Sequence, residues 1–290
     1  MNARYFGPMN ESALSDVKLG VVGAGVMAEA MIAGLLHKQL LTKDQIVCSH
    51  PRAERRDELE KRYGVQTVQA NPEAAAGSSL VLLAIKPQLF PKVAPELRGV
   101  LSESQTVISI LAGATTQTIS TALAHRAVIR TMPNTPAQIG MGMTVWFATE
   151  AVSEVVREHA RVMLSALGTQ IEVEDEMHVA MATAVSGTGP TYTFLFIEAM
   201  VDAAVRLGFS RHIARELVLE TVLGTAEFAK QSGKHAAELR DMVTSPGGTS
   251  AAALYELEKG GMRTVLSDAV RASYQRTIEL EAALEEKLKS

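Results

Sequence analysis

The chain has 290 residues, enough for two domains with separate cores. Its hydrophobic share is 47%, its charged share 21% and its formal net charge −4, with a mean hydropathy of +0.10. That balance describes a soluble globular protein and argues against a nucleic-acid-binding or polybasic membrane surface.

Aromatics are scarce, with Trp146 the single tryptophan, so a base-stacking platform is not expected. The lone Cys48 has no partner for an intrachain disulfide and sits among apolar neighbours, which predicts a buried, inert thiol. No apolar run reaches transmembrane length and no signal-peptide h-region is present, so a cytoplasmic location without membrane attachment is expected.

Residues 1–16 are polar and aperiodic and read as a loose extension. Strand and helix patterns then alternate, which predicts an α/β domain of Rossmann type with a doubly wound, mostly parallel sheet over residues 17–174. Strands are expected at 17–22, 45–49, 65–68, 79–85, 105–111, 127–131, 143–147 and 170–173. Helices are expected after the first strand, at 53–63, from Asn71-Pro72 with Asn71 as cap, and at 150–167. Residues 175–290 read as an all-helical domain. Its first helix breaks near Gly187-Thr188-Gly189-Pro190, and others follow at about 211–230, 236–243, 250–259 and 262–288. The apolar content of these helices exceeds what a small core needs, which points to a subunit interface.

Between the first strand and its helix stands Gly23-Ala24-Gly25-Val26-Met27-Ala28, a G-x-G-x-x-A dinucleotide fingerprint. Gly23 permits the turn, Gly25 lets backbone N–H groups approach a pyrophosphate, and Ala28 lets helix and strand pack closely. The second strand ends Cys48-Ser49-His50-Pro51-Arg52, without the acid that an NAD-preferring site places there. Ser49 as donor and Arg52 as phosphate partner favour NADPH, with NADH as the weaker alternative. Arg56 reads as a solvated helix residue.

At the carboxyl ends of further strands lie Ile85-Lys86-Pro87, Ala112-Gly113 and Asn134 between two prolines. Lys86 would reach cofactor phosphate or ribose, and the Asn134 amide the nicotinamide side. Ser245-Pro246-Gly247-Gly248-Thr249-Ser250 opens a later helix with free amides and hydroxyls, a ready carboxylate site; the plain alternative is a Thr249 or Ser250 cap.

These stretches, with Ala84-Ile85-Lys86-Pro87-Gln88, Met132-Pro133-Asn134-Thr135-Pro136 and Ser186-Gly187-Thr188-Gly189-Pro190, resemble the pyrroline-5-carboxylate reductase family over about residues 17–288. The resemblance implies hydride transfer from NADPH to the imine carbon of 1-pyrroline-5-carboxylate, giving L-proline. It further implies a homodimer through the C-terminal helices, in some members assembled into decamers. By the same resemblance the glycine turn, Ser49, Asn71, Lys86 and Ala112 line the cofactor. Glu176, Thr249 and Ser250 meet the substrate, with Ser250 near the ring nitrogen and Glu176 favouring its protonated form. The chain departs from the family pattern at Thr188, Thr191 and Ser250. Two other readings are a 3-hydroxyacid or 6-phosphogluconate-type dehydrogenase and a non-catalytic NADP-binding sensor. The first calls for a lysine base on the long helix after the sheet, and residues 177–206 contain none. No spacing of His or Cys suggests a metal site.

Overall fold

The computed structural model describes residues 14–289. The expectation of a loose extension therefore falls mostly outside the described residues. Its end is anchored: Leu14 is buried, and Gln45 Nε2 donates to the Leu14 and Val17 carbonyls at 2.9 and 2.8 Å.

The first part alternates as β1 (Leu19–Val22), α1 (Val26–His37), β2 (Ile46–Ser49), α2 (Ala53–Tyr63), β3 (Gln66–Val68) and α3 (Asn71–Ala75). It continues with β4 (Leu80–Leu83), α4 (Phe90–Leu97), β5 (Thr106–Ser109), α5 (Thr116–Leu123), β6 (Val128–Met132), β7 (Gly142–Ala148), α6 (Glu154–Ser165) and β8 (Gly168–Glu172). The strands form one sheet in the order β3-β2-β1-β4-β5-β6-β7-β8. Among the described residues seven neighbouring pairs exist, and only β6–β7 is antiparallel. The reason is local, since residues 133–141 hold just a 3₁₀ turn at Thr135–Ile139, too little chain for a helical crossover.

Side chains alternate across the central strands. Leu19, Val21, Leu80, Leu82, Ile108 and Ile129 face one apolar cluster with α1 and α6. Val22, Val81, Leu83, Val107 and Val128 face a second with α4 and α5. A sheet covered on both faces explains the nearly continuous apolar runs. Cys48 lies in the first cluster, 1% exposed, and burial pushes its thiol up to about 12, so it is inert as expected.

The helical part comprises α7 (Met177–Ala182), a π turn (Thr183–Gly187), α8 (Gly189–Arg206), α9 (Arg211–Ser232), α10 (Ala236–Met242), α11 (Thr249–Lys259) and α12 (Met262–Lys289). The break comes as a π turn ahead of Pro190, which then sits in the first turn of α8, where its missing N–H costs nothing.

By contacts the chain forms two compact units, one running to Thr188 and resuming at Ser273, the other Gly189–Ala272. Val179 and Ala180 of α7 are buried against β6 and β7, so residues 175–188 belong with the sheet. Leu284 of α12 joins the second apolar cluster of the same unit. The other unit is built on α8 and α9, with Val201, Ala214 and Val218 as its buried core.

Candidate active site

The glycine turn sets the first part of the site. Gly23 has φ +87°, and a Cβ there would collide with the Ile85 side chain, so only glycine fits. Gly25 caps α1 in an extended conformation with no side-chain cap, and the nearest atom to a Cβ built on it is Ala84 O at 3.9 Å. Gly25 and Val26 are exposed, Met27 is half-buried and Ala28 is buried against the sheet. An uncapped, exposed helix start with open space before it fits a pyrophosphate.

A clamp that sequence reading did not find holds this turn. Arg55 of α2 donates through Nε to Ala24 O at 3.1 Å and pairs with Glu29 of α1 at 2.5 Å. Arg62 and Tyr63 donate to the other Glu29 oxygen, each at 2.8 Å. Burial alone would raise the Glu29 carboxyl. Hydrogen bonds from Arg55 and Tyr63, with the charges of Arg55 and Arg62, outweigh it and hold the pKa below the ordinary value.

At the adenosine end, three expectations are revised. Ser49 is fully buried, and its hydroxyl donates to Asn71 Oδ1 at 2.8 Å while accepting from Gly23 N–H at 3.3 Å. It therefore stands behind Asn71 and offers no free proton to a phosphate. Asn71 does not cap α3; Ala70 does, and the Asn71 Nδ2 donates instead to Glu96 at 2.7 Å. Arg56 is tied down, donating to the His50 and Pro51 carbonyls at 2.8 and 3.1 Å. Arg52 caps α2, is exposed, and engages its guanidinium with no other group among the described residues. Burial, then the charges of Arg52, Arg55 and Arg56, hold His50 below its ordinary pKa, and its Nδ1 accepts from Arg52 N–H at 3.2 Å. The end of β2 is thus cationic with one guanidinium available, a fit for phosphate.

Lys86 is exposed at the exit of β4, where Pro87 opens a 3₁₀ turn. After β5, Ala112 is half-buried and Gly113 has φ +73° with Leu280 of α12 at 3.1 Å from where its Cβ would stand. Asn134 is not a free amide: Nδ2 donates to Ser186 O at 3.0 Å and Oδ1 accepts from Met143 N–H at 2.9 Å. The side chain braces the turn into β7.

Glu176 also differs from expectation. It accepts from Thr116 N–H and Oγ1 at 2.7 and 2.6 Å and from Arg130 at 3.0 Å; Arg130, nearly buried, pairs with Glu281 of α12 at 2.5 Å. Its oxygens are engaged in holding the start of α5, beside the Ala112-Gly113 loop. Among its neighbours in sequence, Glu172 pairs with Arg157 and Arg161.

In the other unit, a tight turn over residues 245–248 leads into α11. Gly247 has φ +71°, and Gly248 N–H donates to Ser245 O at 3.1 Å. The cap of α11 is Gly248, with no side-chain hydrogen bond, so Thr249 and Ser250 lie inside the first turn and neither is a cap. Both are exposed and their hydroxyls make no hydrogen bond among the described residues. Free amides beside two free hydroxyls suit a carboxylate.

A glycine turn at the carboxyl end of β1 in a doubly wound sheet, followed by a helical unit, defines an NAD(P)-dependent oxidoreductase. Residues 18–113 match the family model described as NADP oxidoreductase coenzyme F420-dependent, and residues 174–280 match pyrroline-5-carboxylate reductase dimerisation. A pyrroline-5-carboxylate reductase of Synechocystis is 44% identical over 91% of this chain and 98% of that protein. One from Pseudomonas aeruginosa is 38% identical over 92% and 98%. The solved pyrroline-5-carboxylate reductase of Coxiella burnetii superposes with a TM-score of 0.85 at 34% identity, covering 91% of this chain and 98% of that one. The Plasmodium falciparum enzyme, solved with NADP bound, gives 0.84 at 29% identity over 92% and 98%. The chain belongs to the pyrroline-5-carboxylate reductase family.

Proposed function

We propose that this chain reduces 1-pyrroline-5-carboxylate to L-proline with NADPH. The observation that carries the reading is the start of α11, where Gly248 leaves the helix uncapped beside the Thr249 and Ser250 hydroxyls. Its amides would take the substrate carboxylate and thereby orient the ring, and orientation is the largest contribution available to a reaction needing little acid–base help. Ser250 would hydrogen-bond the ring nitrogen and hold the protonated imine, whose carbon is the electrophile. The chemistry supplied by bound NADPH is a hydride for that carbon.

In the sheet unit, the amides from Gly25 to Ala28 would hold the pyrophosphate, and Arg52 the 2′-phosphate; Lys86 would reach the cofactor from β4. Glu176 would act as a positioning residue, fixing Thr116 and with it the Ala112-Gly113 loop. Apolar side chains exposed in the Gly189–Ala272 unit, among them Phe194, Leu195, Leu223 and Val265, support a homodimer through these helices and allow higher assembly into decamers. A reducing compartment such as the cytoplasm suits the single buried thiol. The test is NADPH oxidation with 1-pyrroline-5-carboxylate. Turnover supports the reading; NADPH binding without turnover would leave only a dinucleotide-binding protein.

A further inference from the structure

No acid ends β2, but hydrogen bonds join a carboxylate of α4 to that end. Glu96, exposed on α4, accepts from Asn71 Nδ2 at 2.7 Å; Asn71 Oδ1 accepts from Ser49 Oγ at 2.8 Å, and Ser49 Oγ accepts from Gly23 N–H at 3.3 Å. The order of this chain follows from Glu96, because an ionised carboxylate only accepts hydrogen bonds. It draws the amide nitrogen of Asn71 toward α4 and turns the amide oxygen to Ser49, whose single proton is then held inside. One Nδ2 hydrogen of the half-buried Asn71 is left for a ligand, next to a negative charge.

We propose that Glu96 sets the choice between the two dinucleotides, favouring the ribose 2′-hydroxyl of NADH and opposing the 2′-phosphate of NADPH. This rests on the cofactor reading above. A hydroxyl brings a proton that the Glu96 carboxylate can accept. A phosphate brings only acceptors and negative charge, so it competes with Glu96 for Asn71 and is repelled by it. Arg52 acts in the opposite sense, and the ratio of the two affinities is the balance of these side chains. A like charge close by at a half-exposed surface is worth roughly 3- to 10-fold in affinity.

The test is calorimetric binding to the whole chain, without turnover, of NADP⁺, NAD⁺, adenosine 2′,5′-bisphosphate and 5′-AMP. Glu96→Gln keeps the shape and removes the charge. It should tighten NADP⁺ and the bisphosphate roughly 3- to 10-fold while NAD⁺ and 5′-AMP hold or weaken. In the Glu96→Gln, Arg52→Ala double variant the two shifts should offset. An unchanged NADP⁺:NAD⁺ ratio, or an equal change for all four ligands, would overturn the role of Glu96 while the cofactor reading stands on wild-type binding. A wild-type chain that binds neither dinucleotide would overturn both.

Discussion

Arg52 is the one guanidinium at the end of β2 with no partner among the described residues, whereas Arg55 and Arg56 are both engaged. Arg52→Ala should therefore weaken NADPH by about 10-fold or more, the loss of one charge-assisted phosphate contact, and leave NADH within about 2-fold. Fluorescence titration with each dinucleotide checks this, and an equal loss for both would remove the phosphate assignment. Ser250→Ala should lower kcat by about 10²-fold while the NADPH dissociation constant is unchanged. Unaltered turnover would take Ser250 out of the mechanism. Residue types were legible here but not their partners. The hydroxyl of Ser49 and the amide of Asn134 were read as free, yet both are occupied by groups distant in sequence, Asn71 and Ser186. Glu176 was read as a helper of the protonated substrate; Thr116 and Arg130, 60 and 46 residues away, engage it.

The element that holds the glycine turn in place is the clamp between α1 and α2. Glu29→Gln should destabilise the protein by ~1–3 kcal/mol near neutral pH, because it leaves Arg55 and Tyr63 facing a neutral amide in a largely buried place. The sign with pH follows from the lowered carboxyl. Its contribution is full above the ordinary value of 4.5 and is lost as pH falls through the lower folded value. The gap between wild type and Glu29→Gln in urea unfolding should therefore close under acid, and a gap that stays constant would contradict the clamp. The short α4 and α5 were not foreseen and α6 begins at Glu154, later than expected, but α2, α9 and α12 were legible almost to the residue, since their apolar spacing is written along one local stretch. The antiparallel β7 was not, because strand direction depends on what a connection can span, and the 3₁₀ turn in 133–141 was invisible as an apolar pattern. The clamp itself joins positions 26 residues apart and has no periodic signature.

At the scale of the whole molecule, the Gly189–Ala272 unit buries three apolar residues in its core and exposes many more. Val265 and Leu266, 64% and 42% exposed, should lie in the subunit contact. Val265→Glu with Leu266→Glu should give monomers in light scattering, by placing unpaired charges in an apolar interface. An unaltered assembly would show that this face is not the interface. The apolar surplus was visible in composition, but which side chains carry it emerged only with the packing of α8 on α9.

The central claim is hydride transfer to the imine carbon of a ring held by its carboxylate, and isotope transfer tests it most directly. With NADPH deuterated on the transferring face and 1-pyrroline-5-carboxylate, mass spectrometry should find L-proline heavier by one deuterium, on the former imine carbon. NADPH consumed without labelled proline, or label at any other carbon, would contradict the account.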